Sequence, residues 1–218
     1  MSEIVLTNDE KARYARHLIL PQVGEAGQKK IKSASVLVVG AGGLGSPVLM
    51  YLAAAGIGKI GIIDDDKVDM TNLQRQIIHS TSSIGELKTE SAKRRIKQIN
   101  PEIIVDIFDT RLTIENAKEI IDGYDIIVDG TDNFATRYTI SDCCEILGKP
   151  WVFGSIHRFE GQVSVFNLNG SPNYRDLFPK APPPELAPNC AEAGVLGVLP
   201  GIIGSFQANE VIKIVLEM

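Results

Sequence analysis

Residues 40–45 read Gly40-Ala41-Gly42-Gly43-Leu44-Gly45, a Gly-x-Gly-x-x-Gly spacing between a β-branched run and an apolar helical pattern. Glycines there permit a tight strand-to-helix turn and let backbone N–H groups approach a phosphate at the positive end of the helix. Asp64 closes the next apolar run, with Asp66 in the acidic stretch beyond it. An acidic side chain at that place can accept hydrogen bonds from ribose hydroxyls. Gly40, Gly42, Gly43, Gly45 and Asp64 therefore point to an adenine nucleotide. They do not separate NAD from ATP, and taken alone they would favour a dehydrogenase.

The next segment changes that balance. Asn72-Leu73-Gln74-Arg75-Gln76 follows the acidic stretch, and Lys88 opens a further helical pattern. Two cations beside a nucleotide crevice suit a polyphosphate whose charge grows during reaction, which a nicotinamide pocket needs less. Asp132, in Gly130-Thr131-Asp132-Asn133, lies at the end of another expected strand. Its carboxylate could hold Mg²⁺ beside phosphates, or cap the following helix, or both. Cys190 lies in a Pro-rich stretch, where a thiol is either exposed and reactive or a small buried hydrophobe. Cys143 and Cys144 fall mid-helix among apolar residues and read as core, and His17, His79 and His157 have no metal-ligand spacing and read as structural or surface residues.

Apolar periodicity supplies the elements that must hold these groups. Residues 8–30 read as helical pieces broken near Pro21. Strands are expected over 35–39, 59–64, 103–108, 125–129 and 151–155, alternating with helices over 46–55, 88–99, 114–121 and 134–147. That order predicts an α/β, Rossmann-like fold, a mostly parallel sheet with helices on both faces. Residues 162–166 alternate like an antiparallel strand, extending the sheet in the C-terminal third. Residues 172–188 should resist regular structure, with Pro182-Pro183-Pro184 extended, and 205–216 should form an amphipathic helix. One domain over 1–218 is the simplest division, with a helical segment at 8–30, a nucleotide-binding core at about 34–155 and a part carrying the Pro-rich loop at about 156–218.

Composition sets outer bounds. With 218 residues, 44% of them hydrophobic and 22% charged, disorder and fibrous folds are excluded. A net charge of −5 argues against nucleic acid as the main partner. No apolar run approaches the roughly 20 residues that span a bilayer, so no membrane association is expected. The first residues lack the pattern of a signal peptide, and three cysteines with two adjacent make a poor disulfide framework, so the expected location is cytoplasmic.

With these residues in place, the chain resembles the MoeB/ThiF/HesA family, the bacterial relatives of ubiquitin-activating enzymes. The matching stretches are Arg13-Tyr14-Ala15-Arg16-His17, Val39–Gly45, Asn72–Gln76, Gly130–Asn133, Phe159-Glu160-Gly161-Gln162 and Cys190–Val195, in the family's order over about residues 8–217. The resemblance implies an ATP-dependent adenylyltransferase acting with Mg²⁺. Its substrate would be the C-terminal Gly-Gly carboxylate of a small ubiquitin-like sulfur-carrier protein, activated as an acyl-adenylate ahead of thiocarboxylate formation in molybdopterin, thiamine or related sulfur transfer. By matching positions, the glycine loop lies at the nucleotide, Asp64 holds the ribose, Arg75 and Lys88 contact phosphates and Asp132 the magnesium, with Asp66, Asn72, Gln76 and Asn133 in the same cofactor-binding set. Arg16 looks like the arginine given across a homodimer interface, and Cys190 matches a position that some members use for a covalent link to the carrier or to sulfur.

Many members bind zinc through two Cys-x-x-Cys pairs. Here Asn173 and Asp176 stand where the first pair would be, so no zinc is expected. The stretch Tyr174–Pro179 with Pro182-Pro183-Pro184 is similar to MoeZ-type adenylyltransferase/sulfurtransferases, without their rhodanese domain. Sulfur would then come from a separate donor, a rhodanese or a cysteine desulfurase. The alternatives are a dehydratase-like enzyme of the tRNA threonylcarbamoyladenosine type, a non-catalytic scaffold for a ubiquitin-like partner and an NAD-dependent dehydrogenase.

Overall fold

The computed structural model describes residues 4–183 and 194–218. Three helices, α1 (Asn8–Arg13), α2 (Ala15–Leu18) and α3 (Gly24–Ser33), lead into β1 (Ser35–Val39). Then follow α4 (Gly45–Ala55), β2 (Lys59–Ile63), short 3-10 turns at Met70–Asn72 and Thr81–Ser83, α5 (Lys88–Ile99), β3 (Ile104–Phe108), α6 (Ala117–Asp122), β4 (Ile126–Asp129) and α7 (Phe134–Leu147). A hairpin of β5 (Trp151–His157) and β6 (Glu160–Phe166) precedes α8 (Tyr174–Leu177) and α9 (Val198–Val215).

The six strands lie in the order β3-β2-β1-β4-β5-β6. Every neighbouring pair is parallel except β5–β6, which pairs Trp151 with Phe166 and His157 with Glu160 in antiparallel register. The expected Rossmann-like sheet with an antiparallel extension is what forms. After β3 the chain crosses over β2 and β1 to lay β4 on the far side of β1. The crevice between the carboxyl ends of β1 and β4 is thus the place where the strand order reverses, and open α/β sheets bind ligands there.

Both faces of the sheet are covered, which explains the near-continuous apolar runs of the parallel strands. In β1, Val36 and Val38 point to one face, packing with Ile31 of α3, Leu49 and Leu52 of α4, Ile96 of α5 and Val211 of α9. Leu37 and Val39 point to the other, with Ile121 of α6 and Ile140 of α7. Cys143 and Cys144 are buried in that second layer as expected, and burial pushes both thiols up. Trp151 is fully buried against the rings of Phe153, Phe166 and Tyr174.

Two segments differ from expectation. The last helix begins at Val198, not near Ser205, and runs through Pro200, Gly201 and Gly204. Pro200 falls in the first turn, where a helix has no use for the missing N–H. Gly204 is a packing residue, because a Cβ there would lie 2.5 Å from the Leu44 carbonyl oxygen on entry to α4. The Pro-rich stretch also contains a helical turn, α8, where none was expected. Asn173 and Asp176 form it by exchanging side-chain-to-backbone hydrogen bonds of 2.8 and 3.0 Å, a reciprocal cap. Among the described residues no helix is long and apolar enough to cross a membrane.

Candidate nucleotide-binding site

The carboxyl ends of β1, β2, β4 and β5 open onto a cleft of about 450 Å³. Its floor is the loop from β1 into α4. Gly40 has φ +99°, and a Cβ on it would lie 2.8 Å from the Gly130 carbonyl oxygen at the end of β4. A Cβ on Gly45 would come within 1.9 Å of the Gly40 oxygen, so this glycine serves the close approach of helix and strand and does not itself line the cleft. Gly42 and Gly43 do line it. A Cβ on Gly42 would enter the open cleft, meeting only the Gln76 Nε2 at 3.6 Å, so the missing side chain leaves room for a ligand against the backbone.

Asp64 stands at the end of β2 and accepts hydrogen bonds from the N–H groups of Ala41 (2.8 Å) and Asp66 (2.9 Å). Burial pushes its carboxyl above the usual carboxylate range, against the opposing pull of the Lys88 charge and the two N–H donors. A raised carboxyl favours the fold below its ordinary value and withdraws that contribution as pH rises through the raised value. Ionising Asp64 therefore costs stability in this buried surrounding, a cost that hydroxyl donors of a ligand would offset. Lys88 is buried at the start of α5 with its Nζ 2.8 Å from Asp66 Oδ2, and Arg111 pairs with Asp65 at 3.3 Å. Arg75 lies beside Gly43 and donates to the Thr71 carbonyl at 3.2 Å, with no acidic partner among the described residues. Next to it Gln76 is buried and lines the cleft, and its Oε1 has no hydrogen-bond partner among the described residues.

The opposite wall is the loop after β4. Asp129 is fully buried and accepts from the N–H (2.8 Å) and hydroxyl (2.6 Å) of Thr131 and from Arg137 Nε at 3.1 Å. The Arg137 guanidinium lies over the ring of Phe153 at 4.9 Å. This buried pair fixes the turn that carries Asp132. The capping role open to Asp132 falls instead to Asn133, whose side chain accepts from the Thr136 N–H at 2.9 Å. The Asp132 carboxylate is exposed, lines the cleft and has no hydrogen-bond partner among the described residues. Replacing Asn133 with alanine should cost about 1 kcal/mol through the lost cap, a fall of roughly 2–4 °C in the melting temperature of a chain this size.

A model of the ThiF family matches residues 14–218. The chain belongs to the ThiF family. It is 52% identical over 215 residues to the sulfur carrier protein adenylyltransferase of Thermus thermophilus, covering 96% of this chain and 79% of that protein. It is 52% identical over 214 residues to the probable adenylyltransferase/sulfurtransferase MoeZ of Mycobacterium tuberculosis, covering 96% of this chain but 55% of that protein. This chain therefore spans little more than half the length of the second relative. Among solved structures, Escherichia coli MccB with ATP matches 97% of this chain and 64% of that one, with a TM-score of 0.75 and 25% identity. The family and the MoeZ likeness expected from the sequence are both found.

In this ThiF-family chain the cleft gathers Gly40, Gly42, Gly43, Asp64, Asp66, Arg75, Gln76, Lys88, Asp132 and Asn133. Asn72 lies outside it, and its carbonyl accepts from the N–H groups of Arg75 (3.1 Å) and Gln76 (2.9 Å), so it shapes the turn that presents them. Arg16 is exposed on α2 and is not part of the cleft lining. Cys190 lies outside the described residues. Sequence reasoning passed over Arg111, Asp129 and Arg137, which line or brace the cleft. The signal for Asp129 and Arg137 was present as a carboxylate ending an apolar strand and a lone cation in an apolar helix. His157, read as structural or surface, is exposed, and the longer β5 places it at the cleft edge.

Proposed function

We propose that this chain is an ATP-dependent adenylyltransferase. It activates the C-terminal Gly-Gly carboxylate of a small ubiquitin-like sulfur-carrier protein as an acyl-adenylate and releases pyrophosphate. The observation that carries this reading is the cleft itself. An open glycine floor is flanked by Arg75, which has no acidic partner among the described residues, and by the unpartnered Asp132 carboxylate across the crevice. A nicotinamide pocket has no use for that cation and that carboxylate together. The 52% identity to a sulfur carrier protein adenylyltransferase supports the same choice.

In the reaction a carboxylate oxygen of the carrier attacks the α-phosphorus of ATP, and the bond to the β-phosphate oxygen breaks. The backbone N–H groups of Gly42 and Gly43 donate to phosphate oxygens, with the start of α4 behind them. Asp64 accepts from the ribose hydroxyls, which stabilises its ionised form. Arg75 and Lys88 face the negative charge that grows on the departing pyrophosphate. Asp132 fits Mg²⁺, a hard cation that takes oxygen ligands and keeps most of its waters, and the ion supplies charge neutralisation when bound. Arg16 contributes only from a partner subunit, so the working unit is a homodimer. A sulfur donor then supplies sulfur to the activated carrier.

The test is ATP–pyrophosphate exchange with Mg²⁺, with and without a carrier ending in Gly-Gly. Exchange that requires the carrier and disappears when its last glycine is removed is the expected result. A folded, ATP-binding chain that exchanges with none of several carriers would overturn the reading. Cys190 acts after adenylation in this scheme. Replacing Cys190 with serine should leave exchange within about twofold of the parent while lowering thiocarboxylate formation, read by mass spectrometry of the carrier. A hundredfold loss of exchange would instead place the thiol in the first step.

A further inference from the structure

Ala41, between the first two glycines of the loop, is held through both of the peptide units it joins. Its N–H donates to Asp64 Oδ2 at 2.8 Å, and its carbonyl lies 2.9 Å from Nε2 of His79. His79 is only 7% exposed. Its other nitrogen, Nδ1, is 2.9 Å from the Ser91 hydroxyl on α5. Burial and the nearby Lys88 charge hold the ring below the usual histidine range, against the opposing hydrogen bond to Ala41, so the imidazole is neutral at pH 7. A neutral ring has one N–H, and a carbonyl can only accept. Nε2 therefore carries the proton toward Ala41, and the Ser91 hydroxyl donates to Nδ1. The ring also lines a second cavity of about 300 Å³ together with Ser80, Ser82, Ser91 and Arg94. The two hydrogen bonds fix the ring's orientation.

We propose that His79 is a positioning residue of the nucleotide site, holding the Ala41–Gly42 peptide plane by its carbonyl so that the Gly42 N–H, on the opposite side of that plane, faces the phosphates. This rests on the reading of the cleft as an ATP site. If the Ala41–Gly42 plane is released, the Ala41 carbonyl loses its partner and the Gly42 N–H in the same plane is free to turn with it. The cost should fall on phosphate binding and spare the nucleoside.

Two substitutions separate the ring's two contacts. Glutamine can place its Nε2 where the imidazole Nε2 stands and keep the bond to Ala41. Asparagine reaches only as far as Nδ1 and keeps the Ser91 side. The dissociation constants of MgATP and of adenosine would be measured by calorimetry on the full chain, with the melting temperature of each variant alongside. His79→Asn should weaken MgATP about tenfold with adenosine changed by less than twofold, while His79→Gln stays within about threefold of the parent. Parent-like MgATP affinity in His79→Asn, equal losses in both variants, or parallel loss of adenosine would overturn the proposal. A parent chain that binds no MgATP refutes the reading of the cleft itself, and the proposal falls with it. Should His79→Asn fail to fold, Ser91→Ala frees Nδ1 and lets the ring turn its donor away. It should raise the MgATP constant about threefold, and unchanged affinity there would overturn the proposal equally.

Discussion

Replacing Arg75 with alanine is expected to lower carrier-dependent ATP–pyrophosphate exchange about 10²–10³-fold at saturating ATP, the usual cost of removing one preorganised donor from a site of developing charge. The argument rests on which cations in the cleft are already neutralised. Lys88 is committed to Asp66 at 2.8 Å, and Arg111 to Asp65 at 3.3 Å, so both bring their own counter-charge. Arg75 is held differently. Its NH1 donates to the neutral Thr71 carbonyl at 3.2 Å, its stem runs 3.5 Å from the place of a Gly43 Cβ, and its backbone N–H is fixed to Asn72. The guanidinium is thus oriented before substrate arrives and keeps its charge available. Because it makes no ion pair among the described residues, its removal should shift stability by no more than about 0.5 kcal/mol. Arg75→Lys keeps the charge and loses the planar fork, so its rate should lie between the other two. Exchange within a few-fold of the parent in Arg75→Ala would remove this residue from the reacting phosphates.

The sequence made the parts of the fold with short-range causes legible. The β-branched run at 35–39, the glycine spacing behind it and the β-α alternation all follow from local pattern, whereas the strand order that puts the cleft between β1 and β4 is set by tertiary packing. What was misread involved residues whose local and tertiary meanings conflict. Pro200, Gly201 and Gly204 look like helix breakers, yet one lies in a first turn and Gly204 admits the backbone of Leu44. Asn173 and Asp176 lie in a Pro-rich stretch, yet their mutual cap makes a helical turn. The site divides in the same way. Residue types told which groups could meet a nucleotide, but not that Gly45 and Asn72 act through backbone geometry. Nor could spacing reveal that His79 reaches Ala41 across 38 positions of sequence.

Asp132 and Asn133 are neighbours whose sequence roles could be exchanged on paper, and the structure makes them separable by experiment. Asn133 carries the cap of α7, so its loss should appear in the melting temperature. The Asp132 carboxylate touches nothing among the described residues that its removal would leave unsatisfied, and the turn beneath it is held by Asp129, Thr131 and Arg137. Asp132→Asn should therefore leave stability within about 0.5 kcal/mol of the parent. Exchange should nevertheless fall by about 10²-fold or more, because an amide offers Mg²⁺ a neutral oxygen in place of an anionic one. The two effects are read in separate assays, thermal unfolding of the free chain and exchange as a function of Mg²⁺ concentration. A larger Mg²⁺ requirement in Asp132→Asn, with an unchanged requirement in Asn133→Ala, assigns the metal to the first residue and the helix to the second. If Asp132→Asn instead loses stability and keeps its exchange rate, the carboxylate belongs to the fold, and the charge on the phosphates must be met by the cations alone.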